Sequence, residues 1–139
     1  MTLKYLLDTN VISEAIKSVP NKSVLLKLSR HQHEISTAAP VWHELQFGCS
    51  RLPISRKRDI IQSFLSDVLK PGMIILPYDE SAASWHARER ARLTAIGQMP
   101  SFTDGQIAAI AKVHGLILVT RNITDFNQFS ELKLQNWFK

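Results

Sequence analysis

"KYLLDTN", residues 4–10, ends the short apolar run Tyr5-Leu6-Leu7 on an aspartate followed by two small polar residues. The run reads as a buried strand, which places Asp8 at its carboxyl end. Leaving one carboxylate unpartnered in the interior costs several kcal/mol, so its presence there asks for a reason. Further short apolar runs lie downstream: "EISTA" (34–38), "MIIL" (73–76), "LILVT" (116–120) and "LKLQNW" (132–137), the last with the composition of an edge strand. Strands of this kind alternating with helices predict an α/β fold, a three-layer sandwich with a central, mostly parallel sheet and helices on both faces. Ligands of such sheets bind beyond the carboxyl ends of the strands, where Asp8 lies.

The helices announce themselves by caps and periodicity. Asn10 can cap a helix through about Lys17, and Pro20-Asn21 can start another through about Arg30. Pro40 suits the first turn of a helix reaching Cys49. "SRKRDIIQSFLSDVL" (55–69) reads as one amphipathic helix with Ile60, Phe64, Leu65 and Val68 on its apolar face. Asp79 begins a long helix to about Ile96, and Asp104 opens a further one to about His114, stopped by Gly115. There is no internal repeat, low-complexity segment or linker, and 139 residues suffice for one domain, 1–139, with a proper core.

The totals narrow the function. Hydrophobic residues make up 45% and charged residues 21%, ordinary for a globular protein. No apolar run approaches bilayer length, and Asp8 interrupts the only N-terminal apolar stretch, so neither a membrane span nor a signal peptide is expected and the cytoplasm is the expected location. The single cysteine, Cys49, excludes an internal disulfide and reads as a small buried helix residue. The net charge of +5 and a pI near 9.6 permit a polyanionic partner such as nucleic acid.

Two more carboxylates face the wrong way. In "PVWHELQFG" (40–48), Val41, Leu45 and Gly48 mark an inward stripe, and Glu44 falls in it. In "SFTDGQIAAIAKVHG" (101–115), Ile107, Ala108 and Ala111 line the inward face, with Asp104 on that face at the helix start. Each acid has an ordinary alternative: Asp8 and Asp104 can cap helices, and Glu44 can pair with a buried arginine. Taken together, three inward carboxylates from separate elements favour a shared hard cation, which removes their mutual repulsion. An all-oxygen set suits Mg2+ or Mn2+. "HQH" (31–33) supplies two imidazoles but no third zinc ligand nearby.

The four motifs "LLDTNVIS", "HELQFG", "FTDGQIAAIA" and "LVTRNITDF", in this order and spanning nearly the whole chain, resemble those of PIN domains, specifically the VapC-type ribonuclease toxins of bacterial toxin–antitoxin pairs. The resemblance implies an endoribonuclease that uses Mg2+, with Mn2+ able to substitute, and leaves 5′-phosphate and 3′-hydroxyl ends. It implies a homodimer and a cognate antitoxin that blocks the site. Matched position by position, the first acid is Asp8, the second Glu44 and the third Asp104, with Thr9 and Thr103 as supporting hydroxyls. At the fourth position the sequence departs from the pattern. Thr120 ends the strand, and Asn122 stands where an acid is common; Asn122 or Asp125 fills that role. Asp125 can instead belong to a turn before Phe126.

Two further choices stay open on sequence alone. Arg88 and Arg92, one turn apart, can grip RNA phosphates or form a solvated face with Glu80 and Glu89. His43, His86 and His114 read as packing, helix-end or solvent-facing residues. The rival functions are a noncatalytic PIN-like module that binds RNA or a partner, and an aspartate-nucleophile phosphohydrolase. The latter wants a second acid where Asn10 stands.

Overall fold

Five parallel strands form one sheet in the order β3-β2-β1-β4-β5 in the computed structural model, which describes residues 2–139. The strands are β1 (Tyr5–Leu7), β2 (Ile35–Ala38), β3 (Ile74–Leu76), β4 (Ile117–Val119) and β5 (Leu134–Gln135). The helices are α1 (Thr9–Ile16), α2 (Lys22–Arg30), α3 (Ala39–Ser50), α4 (Arg56–Ser63), α5 (Lys70–Gly72), α6 (Glu80–Ala95), α7 (Phe102–Val113) and α8 (Ile123–Phe126). From β1 the chain steps outward to β2 and β3, then crosses back to β4 and β5. Right-handed crossovers that step in opposite directions fall on opposite faces of a sheet, which yields the three layers. The reversal lies between β1 and β4, and such a switch point opens a crevice at the strands' carboxyl ends.

The sheet centre is wholly apolar: Leu6, Leu7, Leu118 and Val119 are fully buried. Over it packs α7, whose run Ile107–Ala111 is buried throughout. The alanines allow that helix to lie close to its neighbours. The buried polar residues of β2 brace β1 rather than reach solvent. Ser36 Oγ donates to the Tyr5 carbonyl and Thr37 Oγ1 to the Leu7 carbonyl, both at 2.9 Å. The C-terminal segment is fastened by Trp137, buried and edge-on to the Tyr5 ring at 5.1 Å.

Several expectations need correction. The cap of α1 is Asp8 itself, not Asn10, and α7 starts at Phe102 behind the Ser101 cap. The segment 55–69 is not one α-helix: α4 runs into a π-helical stretch, Phe64–Leu69. A π turn holds more residues than an α turn. The buried stripe therefore moves to Leu65 and Leu69, while Ile60 and Val68 are exposed. β3 is an edge strand, with Ile74 exposed.

Candidate metal centre at the carboxyl ends of β1 and β4

The central strands end side by side, tied by the Asp8 amide donating to the Val119 carbonyl at 2.9 Å. Asp8 follows β1 directly and is 6% exposed. Its Oδ1 accepts from the Thr9 amide at 2.8 Å, the N-cap bond of α1. Its Oδ2 accepts from Thr120 Oγ1 at 2.8 Å and from Asn10 Nδ2 at 3.3 Å. Thr120, the residue after β4, accepts in turn from the Asn122 amide at 3.0 Å. Asn10 reaches the same loop from the other side, its Oδ1 accepting from the Arg121 amide at 3.1 Å. Thr120 and Asn10 thus lock the Asp8 carboxylate between the two strand ends. The sequence reading had Asn10 as a helix cap and as the place where a phosphohydrolase would carry a second acid, not as a partner of Asp8; a second polar residue right behind a strand-end aspartate was the available signal.

Burial raises the Asp8 carboxyl above its ordinary value even though Thr120, Thr9 and Asn10 all donate to it, and nearby Asp125 raises it further. Asp104, half-buried in the first turn of α7, is also raised, first by burial and then by the charges of Asp8 and Asp125, against the lowering effect of the nearby Ser101 side chain; its backbone amide donates to Ser101 Oγ at 3.0 Å. Three carboxylates therefore share one electrostatic field, from β1, α7 and the exposed first turn of α8. The ion pairs present among the described residues lie elsewhere: Lys17–Glu14, His31–Glu34, Arg92–Glu89 and Lys112–Glu131. Among the described residues, no cation pairs with the cluster. An acid whose pKa is raised on folding binds protons more readily folded than unfolded. Stability contributed at this site therefore falls as pH rises through the folded carboxyls' raised range. Oxygen-only donors with uncompensated charge fit a hard divalent cation. Among the described residues, no three such side chains yet converge at ligating distance.

Glu44 is not on the inward stripe of α3. The buried residues are Val41, Leu45 and Cys49, one turn apart, and Glu44 is exposed. It borders a groove of about 1000 Å³ between α1, α3 and α4, together with Thr9, Ser13, Gly48 and Arg56. Thr9 joins this groove to the Asp8 pocket. The acid expected as a central member thus stands at the groove rim, while exposed Asp125 acts on Asp8 and Asp104 through its charge. Thr103 is half-buried beside Asp104, and Asn122 is exposed at the start of α8.

Arg92 is committed elsewhere. Its guanidinium donates twice to Glu89, at 2.9 and 3.0 Å, and to the Gln128 carbonyl at 2.8 Å. It holds the segment after α8 against α6 and is not free to grip a phosphate. Arg88 is exposed. His43 is exposed and stacks near Phe47, and His114 ends α7 by bonding the Ile110 carbonyl. His86 is buried: Tyr78 Oη lies 2.8 Å from its Nδ1, and its ring covers Gly105 of α7. A methyl group at Gly105 would overlap that ring. Glycine inside a helix is otherwise unfavourable, so close approach of α6 and α7 explains it. Gly105→Ala is expected to destabilise the fold by about 1–3 kcal/mol, the usual range for overpacking, read as a lower urea midpoint with unchanged slope.

The fold and the pocket define a parallel α/β protein with an acidic crevice at its switch point, and comparison with known proteins narrows that class. The family model for the PIN domain matches residues 5–132. A VapC ribonuclease of Sinorhizobium fredii is 34% identical over 86% of this chain and 88% of its own. The toxin FitB of Neisseria gonorrhoeae is 35% identical over 87% and 89%. A VapC of Shigella flexneri described as a tRNA(fMet)-specific endonuclease is 31% identical over 97% and 98%. Among solved structures, FitAB bound to a DNA fragment superposes with a TM-score of 0.89 at 29% identity, covering 97% and 96% of the two chains. The VapBC2 complex of Rickettsia felis bound to promoter DNA gives 0.83 at 29%, covering 99% of each. The chain belongs to the PIN-domain family, in its VapC-type branch.

Proposed function

We propose that this protein is the toxin of a type II toxin–antitoxin pair, a single PIN domain over 1–139 that cuts RNA in the cytoplasm with Mg2+ or Mn2+ as cofactor. The observation that carries the metal-dependent reading is the shared field of Asp8, Asp104 and Asp125, two of them with raised pKa and none in an ion pair among the described residues. Asp8 and Asp104 would hold the cation, with Asp125 and the rim residue Glu44 completing the oxygen set around it. When bound, the cation supplies charge that offsets the build-up on the phosphodiester and acidifies the attacking water. Thr120 and Asn10 fix the Asp8 carboxylate so that its oxygens need no reorganisation. Asn10 also argues against an aspartate-nucleophile phosphohydrolase: where that chemistry wants a second acid, a neutral amide donates to Asp8. The family's VapBC and FitAB complexes support an antitoxin as partner, and a homodimer is the expected assembly.

The test is incubation of the purified protein with total RNA, with Mg2+, with Mn2+ and with EDTA. Fragments bearing 5′-phosphates in the metal lanes alone are the expected result; intact RNA in every lane would favour a noncatalytic binding module.

Charge repulsion gives a second, independent check. Asp104→Asn is expected to raise the melting temperature in EDTA by about 1–3 °C. Relief of like charge, about 1 kcal/mol at a site open to solvent, is partly offset by losing a negative charge at a helix N-terminus, worth about 0.3–1 kcal/mol. The same substitution is expected to shrink the stabilisation by Mn2+, because binding to the native state is its source. Exposed Glu44 stands outside this field, so Glu44→Gln is expected to leave the EDTA melt unchanged. A lower EDTA melt for Asp104→Asn would make its favourable charge at the helix N-terminus dominant.

A further inference from the structure

Phe102 is an anomaly at the mouth of the acidic pocket. It opens α7, two residues before Asp104, and is 51% exposed. Its ring is nonetheless held firmly. The buried His86 ring lies behind it at 4.9 Å, tilted by 52°, and His86 is itself held by Tyr78 and Gly105. The Arg90 guanidinium lies over the Phe102 ring at 5.3 Å. An exposed aromatic ring gains little from water, and nothing in the core requires one at this place. A fixed phenyl beside a guanidinium is a surface on which unpaired bases stack.

The position suits a substrate held at Asp104. Residues two apart in a helix have Cα atoms about 5.4 Å apart but side chains about 200° apart around the axis. Asp104 accordingly points toward the carboxylate pocket, while Phe102 points toward α6. A single strand laid across the N-terminal end of α7 meets both, with a phosphate at the carboxylates and a neighbouring base on the ring. Resting on the ribonuclease reading above, we propose that Phe102 and Arg90 form a stacking subsite for an unpaired base next to the scissile phosphate. Arg90 and the net charge of +5 favour a polyanion here over an apolar protein face. Met99 and Ile96 are likewise exposed on the loop that precedes α7.

The decisive measurement needs no cleavage. A short single-stranded RNA carrying one 2-aminopurine is titrated with the full chain in EDTA, since stacking quenches that base. Wild type is expected to bind with quenching at one position of the label. Phe102→Leu, which keeps an apolar side chain on His86, is expected to weaken binding about 5- to 100-fold, the span for losing one stacked base, and to abolish the quenching. Arg90→Met is expected to weaken it less. In Mn2+, wild type is expected to prefer the intact oligonucleotide over one abasic at that position by a similar factor, and Phe102→Leu is expected to lose the preference by a higher KM. Absence of cleavage by wild type with quenching retained would overturn the ribonuclease reading alone. Equal quenching and equal abasic discrimination in wild type and Phe102→Leu would overturn the subsite. So would a change of oligomeric state in Phe102→Leu with RNA binding unchanged, which makes this a protein interface.

Discussion

Replacing Asp8 with asparagine is expected to reduce metal-dependent RNA cleavage at least about 100-fold while the fold persists. The carboxamide is nearly the same shape and can still accept the Thr9 amide bond that caps α1. What it loses is the negative charge that would hold a hard cation. Its amide nitrogen would also face the Thr120 hydroxyl, which donates to Oδ2 in the wild type and accepts from the Asn122 amide. The loop after β4 is therefore expected to loosen locally, visible as faster amide exchange at Asn122, with circular dichroism unchanged. The measurement is the initial rate on a labelled RNA in Mn2+, together with the growth of cells expressing the variant. Wild type alone is expected to halt growth and Asp8→Asn to permit it. A variant that cuts RNA at an undiminished rate would remove Asp8 from the chemistry and leave it a helix cap.

The largest effect on stability is expected at Glu89, far from the chemistry. Glu89 is buried on α6 and accepts both Arg92 bonds, as well as the Ser130 amide at 2.6 Å and the Ser130 hydroxyl at 3.3 Å. The Arg92 guanidinium, followed by the Ser130 bonds, holds its carboxyl down to about 2 against the opposing effect of burial. Glu89→Ala strands a partly exposed guanidinium and leaves the Ser130 amide without its acceptor, while removing a side chain that is itself buried on α6; the expected cost is about 2–4 kcal/mol. The pH dependence has a definite sign. A carboxyl with a depressed folded pKa stabilises the native state above its unfolded value, about 4.3. That contribution falls away as pH drops from there toward 2. The wild-type urea midpoint is expected to decline over this window more steeply than that of Glu89→Ala, and parallel curves would show that the pair contributes nothing net.

Asp8 and Asp104 contribute with the opposite sign, since both are raised. Acidification relieves the acidic pocket while it weakens the Glu89 cluster. The two sites can therefore be separated in one titration, because Asp104→Asn flattens the first effect and Glu89→Ala the second.

The strand–helix alternation was written in local signals: apolar triplets for β1, β3 and β4, Asn21 and Asp79 as caps, and Gly115 at φ +65° to stop α7. These features depend on neighbours a few residues away, so the chain order determines them. Asp8 and Asp104 were legible for the same reason, as charges breaking apolar patterns next to a strand end and a helix start. The tertiary structure alone decided which acids share a field. One residue turns a helix by 100°, so a stripe read from spacing is uncertain by a whole side chain; Glu44 moved from the interior to the groove rim by that margin. Asp125 joined Asp8 because β4 lies beside β1, a pairing of residues more than a hundred positions apart. Arg92 was withdrawn from the RNA-binding candidates by Glu89 and by the Gln128 carbonyl, the latter brought to it by the return of the chain after α8. The π turn in 64–69 likewise followed from packing. Local propensity sets which elements form. Which faces meet is set by long-range burial, and the site was built from those meetings.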